Sequence, residues 1–213
     1  MLKAVKQSTD LIMNTKLSKL FITGSDRNSR WMEKWFLQNF SLHNPGSKIH
    51  VYNFDADFPN SIGWFKKPDA MIDAAGKADS VCWIDIDCEV LGHLGNIWEY
   101  LEPNKLGMVE DKPWTARQHT TWHNSGVVAF NGTPDILKTW KGGCVRTDQR
   151  GDQEVLHKLL PNPLARMTHI TTLPNRYNVL RLQHIDNTLP KYPLVYHWTG
   201  RKGKDHIRKL ING

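Results

Sequence analysis

The sequence predicts an α/β fold with a mainly parallel central sheet flanked by helices. Two observations carry that prediction. Between residues 19 and 90, short apolar or β-branched runs alternate with helical stretches in the order strand, helix, strand, helix, strand. That order is the pattern of a parallel sheet joined by crossover helices. The third run, Val81-Cys82-Trp83-Ile84-Asp85-Ile86-Asp87-Cys88-Glu89-Val90, closes its apolar part on two carboxylates one residue apart. In open α/β sheets ligands bind beyond the carboxyl ends of the strands.

Taken in order, residues 1–17 are mixed and polar and read as a short helix or an arm. Lys19-Leu20-Phe21-Ile22-Thr23 reads as the first strand, ended by Gly24-Ser25-Asp26. A helix follows, with Ser29 as its N-cap and Trp31, Trp35 and Phe36 on one face. Asn44-Pro45-Gly46 turns the chain into a second strand over 48–54. Residues 57–63 read as loop, Pro68 opens a helix at its first turn, and Gly76 ends it. The Asp85/Asp87 strand comes next. A short helix is expected within 92–102, a strand over 105–109, a loop with two Trp over 113–123, and a strand over 125–130. Asn131-Gly132-Thr133-Pro134 leads into a helix through Trp140 that Gly142-Gly143 breaks. Residues 152–160 are helical up to Pro161, and 169–173 and 194–196 are late strands.

With 213 residues and no repeat or linker, a single domain over 1–213 is the economical reading. No apolar run approaches the ~20 residues that span a bilayer. The N-terminus lacks the apolar core of a signal peptide. Three cysteines, an odd number, give no disulfide framework. On one strand, Cys82 and Cys88 would stand ~20 Å apart, too far to bridge. These features fit a cytoplasmic protein. The net charge of +7 suits an acidic partner such as nucleotide phosphates, nucleic acid or an anionic membrane. Much of the excess is C-terminal, in Arg201, Lys202, Lys204, Arg208 and Lys209.

On a strand, residues i and i+2 point to the same side, so Asp85 and Asp87 project together. Like charges held that close need a cation between them, and a divalent metal is the usual solution. His197 follows another apolar run and precedes Trp198-Thr199-Gly200-Arg201-Lys202-Gly203-Lys204. A Gly-and-basic stretch of this kind can wrap a diphosphate, and His197 is a sensible third metal ligand. Two carboxylates and an imidazole favour Mn²⁺ over Ca²⁺ or Mg²⁺, which want all-oxygen sites. Gly24-Ser25-Asp26-Arg27-Asn28 lacks the three-glycine dinucleotide fingerprint, against a dehydrogenase. Trp83, Trp98 and Trp140 read as core, while Trp114 and Trp122 sit in a loop-like stretch just before Asn124.

In combination these stretches resemble the GT-A fold glycosyltransferases, and among them the retaining family of glycogenin and the bacterial lipooligosaccharide galactosyltransferases. Trp83-Ile84-Asp85-Ile86-Asp87 resembles the family's metal motif. Asn124-Ser125-Gly126-Val127 resembles its Asn-x-Gly-Val strand, Gly151-Asp152-Gln153-Glu154 its Asp-Gln helix start, and His197-Trp198-Thr199-Gly200 its His-x-x-Gly loop. Leu173-Pro174-Asn175-Arg176-Tyr177-Asn178 is similar to its Leu-Pro-x-x-aromatic-Asn segment. Order and spacing match over 19–204. Two departures stand out. The family's Lys six residues after the His is here Gly203, leaving Lys202 and Lys204 open as substitutes. The first βα turn also lacks the aromatic on which the base stacks.

The resemblance implies a single-domain GT-A fold with a nucleotide and metal half over about 18–110 and a donor-sugar and acceptor half over about 111–204. It implies transfer of a sugar from a nucleoside diphosphate sugar, such as UDP-glucose or UDP-galactose, to an acceptor hydroxyl with retention. Asp85, Asp87 and His197 would hold Mn²⁺, with Mg²⁺ as the alternative. Asp152, Gln153 and Asn124 would hold the sugar. Thr23, Gly24, Ser25, Asp26, Lys67, Asp85, Ile86, Gly200, Arg201, Lys202 and Lys204 would contact the nucleotide. The acceptor, whether glycan, lipid or protein, stays open, and neither a nucleic-acid partner nor a membrane span is favoured. Two rival classes are weaker. A haloacid-dehalogenase-type phosphatase needs Thr or Val where Glu89 stands and a Gly-Asp-x-x-x-Asp that Gly151-Asp152 does not continue. A non-catalytic nucleotide or nucleic-acid binding module gives no reason for Asp85, Asp87 and His197 together.

Overall fold

The computed structural model describes residues 16–213. The helix or arm expected over 1–17 thus lies, but for its last two residues, outside the described residues. β1 (Leu17–Ser25), α1 (Glu33–His43), β2 (Ile49–Asn53), α2 (Lys67–Lys77) and β3 (Ala78–Ile84) follow in the expected alternation. The chain continues through β4 (Cys88–Val90), β5 (Leu106–Glu110), α3 (Lys112–Gln118), β6 (His123–Asn131), α4 (Asp135–Val145) and α5 (Asp152–Leu159). α6 (Pro163–His169), β7 (Ile170–Leu173), β8 (Val179–Leu180), α7 (Arg181–Ile185), β9 (Val195–His197) and α8 (Gly200–Asn212) complete it. The main sheet has the order β2-β1-β3-β6-β5-β7. It is mainly parallel, with β6 antiparallel to both its neighbours. A small second sheet has the order β4-β9-β8. Among the described residues no helix is long and apolar enough to cross a membrane.

Period-two alternation along the buried strands divides the core between the two faces of the sheet. Leu20, Ile22, Val81, Trp83, Val128 and Phe130 pack on one face with Ala70, Ala74, Leu137 and Trp140 of the helices. Phe21, Cys82, Ile84, Val127 and Ala129 pack on the other with Phe36, Phe40 and Ile207. Trp83 and Trp140 are core, as their sequence context predicts, and Trp98 is packed against it.

Several local expectations are corrected. The run 81–90 is two strands in two sheets, with a turn at Asp85–Asp87, so Cys82 and Cys88 do not share a strand. Ser29 precedes a 3-10 turn and makes no side-chain cap. Asp26 shapes the turn ahead of it instead, its Oδ1 accepting from the N–H groups of Asn28 and Ser29. Gly76 lies inside α2, and Gly142 and Gly143 lie inside α4. Gly143 is a packing glycine there, since a Cβ would come within 2.8 Å of Val155. The stretch read as loop over 113–123 begins with α3, which Asp111 caps by accepting from the Trp114 N–H at 3.0 Å. The Gly-and-basic stretch after Thr199 is the start of α8 rather than a loop.

Candidate active site

The site is built on the turn between the two sheets. β3 stops at Ile84, and the Asp85 N–H donates to the Gly126 carbonyl on β6 at 2.7 Å. The Cys88 N–H closes back on the Asp85 carbonyl at 3.0 Å. Turn geometry, rather than strand alternation, therefore brings Asp85 and Asp87 together. β4 then pairs antiparallel with β9, opposing Cys88 to His197, and the Trp198 N–H donates to the Asp87 carbonyl. This ladder carries His197 across 110 positions of sequence to the carboxylates. Its Nε2 lies 3.2 Å from Asp87 Oδ1 and 3.6 Å from Asp85 Oδ2. Its Nδ1 lies 3.1 Å from Asn124 Oδ1, which also accepts from Gly126 N and Asn178 Nδ2 at 2.8 Å each. The Asn124 oxygen can only accept, so Nδ1 carries a proton and Nε2 faces the carboxylates. Gly126 lets the ring lie down, because a Cβ there would meet His197 Nδ1 at 2.2 Å.

The electrostatics follow from burial. Burial by itself lowers the pKa of His197, but Asp87 beside it outweighs that and holds it above its ordinary value. Burial raises Asp87, and His197 overcomes it, leaving its carboxyl low. Asp85 stays raised by burial despite Lys67 and His197. Lys67 Nζ is buried between Asp85 Oδ1 at 2.9 Å and Asp152 Oδ2 at 3.1 Å, and donates to the Ser125 carbonyl at 3.0 Å. Burial would pull its pKa down, but Asp152 and Asp85 hold it above the usual lysine range.

The donor set suits a divalent cation. Asp87, His197 and Cys88 bring ligand-type atoms within 4.8 Å of one another. The Cys88 thiol is held protonated, its pKa pushed well up by burial and then by Asp87 and Asp85. Asp85 Oδ2, facing the same imidazole nitrogen, is the hard oxygen that an oxygen- and imidazole-binding cation would take instead.

Two cavities meet over this turn. The larger, about 480 Å³, is lined by Lys67, Asp85, Asp87, Asn124, Asp152, Gln153, His197 and Gly200 of the expected residues. The smaller, about 220 Å³, is lined by Gly24, Asp26, Lys67, Asp85, Ile86, Asp87 and Lys204. Four of the expected residues line neither cavity. Thr23 is fully buried, and the Ser25 hydroxyl is spent on the Glu33 carboxylate. Arg201 and Lys202 are exposed on the outer side of α8, outside both cavities. Of the two lysines left open, Lys204 reaches the smaller cavity. Gly203 carries no side chain for a steric reason: a Cβ would sit 1.9 Å from the Trp198 carbonyl oxygen.

The sequence reading missed Asp111. It is buried, and its Oδ2 accepts from Asn124 Nδ2 at 3.2 Å and Gln153 Nε2 at 3.3 Å. Gln153 Oε1 accepts in turn from Asn124 Nδ2 at 2.9 Å. Asp111-Lys112-Pro113 was a legible signal, an N-cap Asp with Pro just inside a helix. Phe54 packs against Gly24 of the first βα turn. Phe54 and Trp83 line the smaller cavity, stacked at 6.0 Å and 4°. Trp114 lines the larger cavity and Trp122 packs behind it. Glu89, where a phosphatase would need Thr or Val, accepts from Trp198 Nε1 at 2.8 Å.

No family model matches the sequence, and no curated protein matches it. Solved structures do match the fold. The glycosyltransferase GlyE of Streptococcus pneumoniae TIGR4 superposes with a TM-score of 0.62 at 18% identity, over 86% of this chain and 55% of that one. This chain thus spans about half the length of GlyE. The galactosyltransferase LgtC, solved with donor and acceptor sugar analogues, gives 0.60 at 13% identity over 91% and 95% of the two chains. A glycosyltransferase involved in glycosylation of the major capsid of PBCV-1 gives 0.63 at 13%, over 90% and 99%. The fold of this chain is the GT-A fold of those glycosyltransferases.

Proposed function

We propose that this chain is a metal-dependent glycosyltransferase that moves a hexose from a UDP-hexose to an acceptor hydroxyl with retention. The observation that carries the reading is the meeting of Asp85, Asp87 and His197 on the seam between two cavities. One cavity suits a nucleoside and the other a sugar.

In this reading the base and ribose occupy the smaller cavity, against Gly24, Asp26 and the Phe54 and Trp83 rings. Asp85, Asp87 and His197 would hold Mn²⁺, which when bound supplies Lewis-acid stabilisation of the leaving diphosphate. Lys204 adds positive charge at the diphosphate, in the role for which Gly203 has no room. The sugar lies in the larger cavity, where Asp152 accepts from its hydroxyls and Gln153 and Asn124, fixed by Asp111, hold its other side. During transfer the bond from the anomeric carbon to the phosphate oxygen breaks and its electron pair leaves with UDP. The acceptor oxygen bonds that carbon, and its proton passes to the departing diphosphate oxygen. The pairing of Asp152 with Lys67 suits a carboxylate that holds the donor rather than one that takes a proton, which supports retention.

A screen of nucleotide sugars for diphosphate release tests this reading. Mn²⁺-supported release from UDP-glucose or UDP-galactose is expected, and release from no nucleotide sugar would defeat it.

A further inference from the structure

Trp64 is an exposed aromatic that takes part in neither core. It is 57% exposed, yet its indole N–H donates to the Arg150 carbonyl at 3.1 Å, a bond across 86 positions of sequence. Trp64 precedes α2 by three residues, and Arg150 precedes α5 by two. These same two segments are joined a second time by the buried Lys67–Asp152 ion pair. One tie is at the floor of the site and the other at its rim. Trp64 also lines both cavities, together with Lys67, Asp85 and Asp87. In the proposed reading that seam is where diphosphate would meet sugar, and the anchored ring lines it. Indole offers an apolar face to the C–H side of a sugar ring without a large loss of side-chain freedom, because its N–H is already held.

We infer that Trp64 is a positioning residue for the transferred sugar, its plate fixed by Arg150 and laid against the hexose rather than the nucleoside. This rests on the sugar-transfer reading. A residue with only a structural role would change affinity for UDP and for UDP-hexose alike, whereas a sugar plate changes the second alone.

The test is calorimetric titration of wild type, Trp64→Ala and Trp64→Phe, each with Mn²⁺, using UDP and whichever of UDP-glucose and UDP-galactose the wild type turns over. For Trp64→Ala the UDP affinity is expected within twofold of wild type, with UDP-hexose affinity weakened roughly three- to tenfold. Trp64→Phe, which keeps a plate but not the N–H, should lose less than the Ala variant. An Ala variant unchanged for UDP-hexose, one that weakens both ligands equally, or a Phe variant as weak as the Ala variant overturns the assignment. Turnover of neither nucleotide sugar by the wild type would instead overturn the sugar-transfer reading, and the Trp64 assignment with it.

Discussion

Across the cleft, the wall made by the β3–β4 turn, α2 and β9 is held by charge, whereas the wall made by α3, the start of β6 and α5 is held largely by neutral rings and amides. On the first, His197 faces Asp87, and Lys67 pairs with Asp85 and reaches across to Asp152 at the start of α5. On the second, Trp122 stacks on His157 at 3.5 Å and 16°. Arg166 lies buried beneath, donating to His157 Nε2 at 3.1 Å and to Thr120 Oγ1 at 2.8 Å. Both walls bury titratable groups, but they solve the problem differently. The charged wall keeps ions and pairs them. The ring wall keeps its histidines neutral: burial, then Arg166, lowers His123 and His157 each to about 4.

The contrast breaks most visibly at Lys67. Lys67→Met strips the shared partner from two carboxylates in a buried setting, so a stability loss of about 3–5 kcal/mol is expected in urea unfolding. A loss below ~1 kcal/mol would mean that Asp85 and Asp152 are solvated and the wall is not held by charge. On the ring wall the lever is pH. His123 and His157 are neutral in the fold down to about 4, whereas in the unfolded chain they take protons below ~6.5. Stability is therefore full above ~6.5 and falls as pH drops toward 4, by on the order of 3 kcal/mol for a fully buried group and less for half-buried His157. His123→Gln should flatten that slope; an unchanged slope would place the acid sensitivity elsewhere.

On the charged wall the histidine has the opposite sign in metal-free protein and the aspartate the same sign. His197 is raised, so its contribution is full below ~6.5 and is lost as pH rises through its elevated folded value. Asp87 is lowered, so its contribution is present above ~3.9 and lost in acid. With metal present, protons compete for His197, and metal affinity should fall as pH drops through that raised value. His197→Ala should weaken Mn²⁺ by roughly tenfold or more and remove most of that pH dependence. Mn²⁺ affinity equal to wild type with the same pH profile would put the metal elsewhere. Asp152→Asn sharpens the division within the site: transfer should fall about 10²-fold or more with UDP affinity nearly unchanged. A large loss of UDP affinity would move Asp152 from the sugar to the phosphates.

The two walls also differ in how far the sequence discloses them. The charged wall is legible because its key residues are local words, Asp85-Ile86-Asp87 and His197-Trp198-Thr199-Gly200, each at the end of an apolar run. Even there the reason they converge was not visible. A turn and the β4/β9 ladder supply it, where a single continuous strand is the simpler inference from the run. The ring wall is legible only in part, through Asn124-Ser125-Gly126-Val127 and Gly151-Asp152-Gln153-Glu154. Asp111, Asn124 and Gln153 are 13 and 29 residues apart in succession, and only their hydrogen bonds make them one unit. Trp114 lines the larger cavity from a short helix whose start Asp111-Lys112-Pro113 signals, while Trp122 packs against it and lines neither cavity. Trp64 carried no sequence signal at all, since its significance depends on an N–H bond to the Arg150 carbonyl. Arg201 and Lys202 mislead for a related reason: charge composition is readable, but the helical phase that turns them outward depends on Gly203 packing against Trp198.

In the proposed function Asp85, Asp87 and His197 form a cation site that serves a nucleoside diphosphate. Titration of the wild type with UDP in saturating Mn²⁺ and again in excess EDTA tests this most directly. UDP affinity at least tenfold higher with Mn²⁺ is expected, with the same coupling on Mn²⁺ affinity when UDP is bound first. Equal UDP affinity in Mn²⁺ and in EDTA would contradict it.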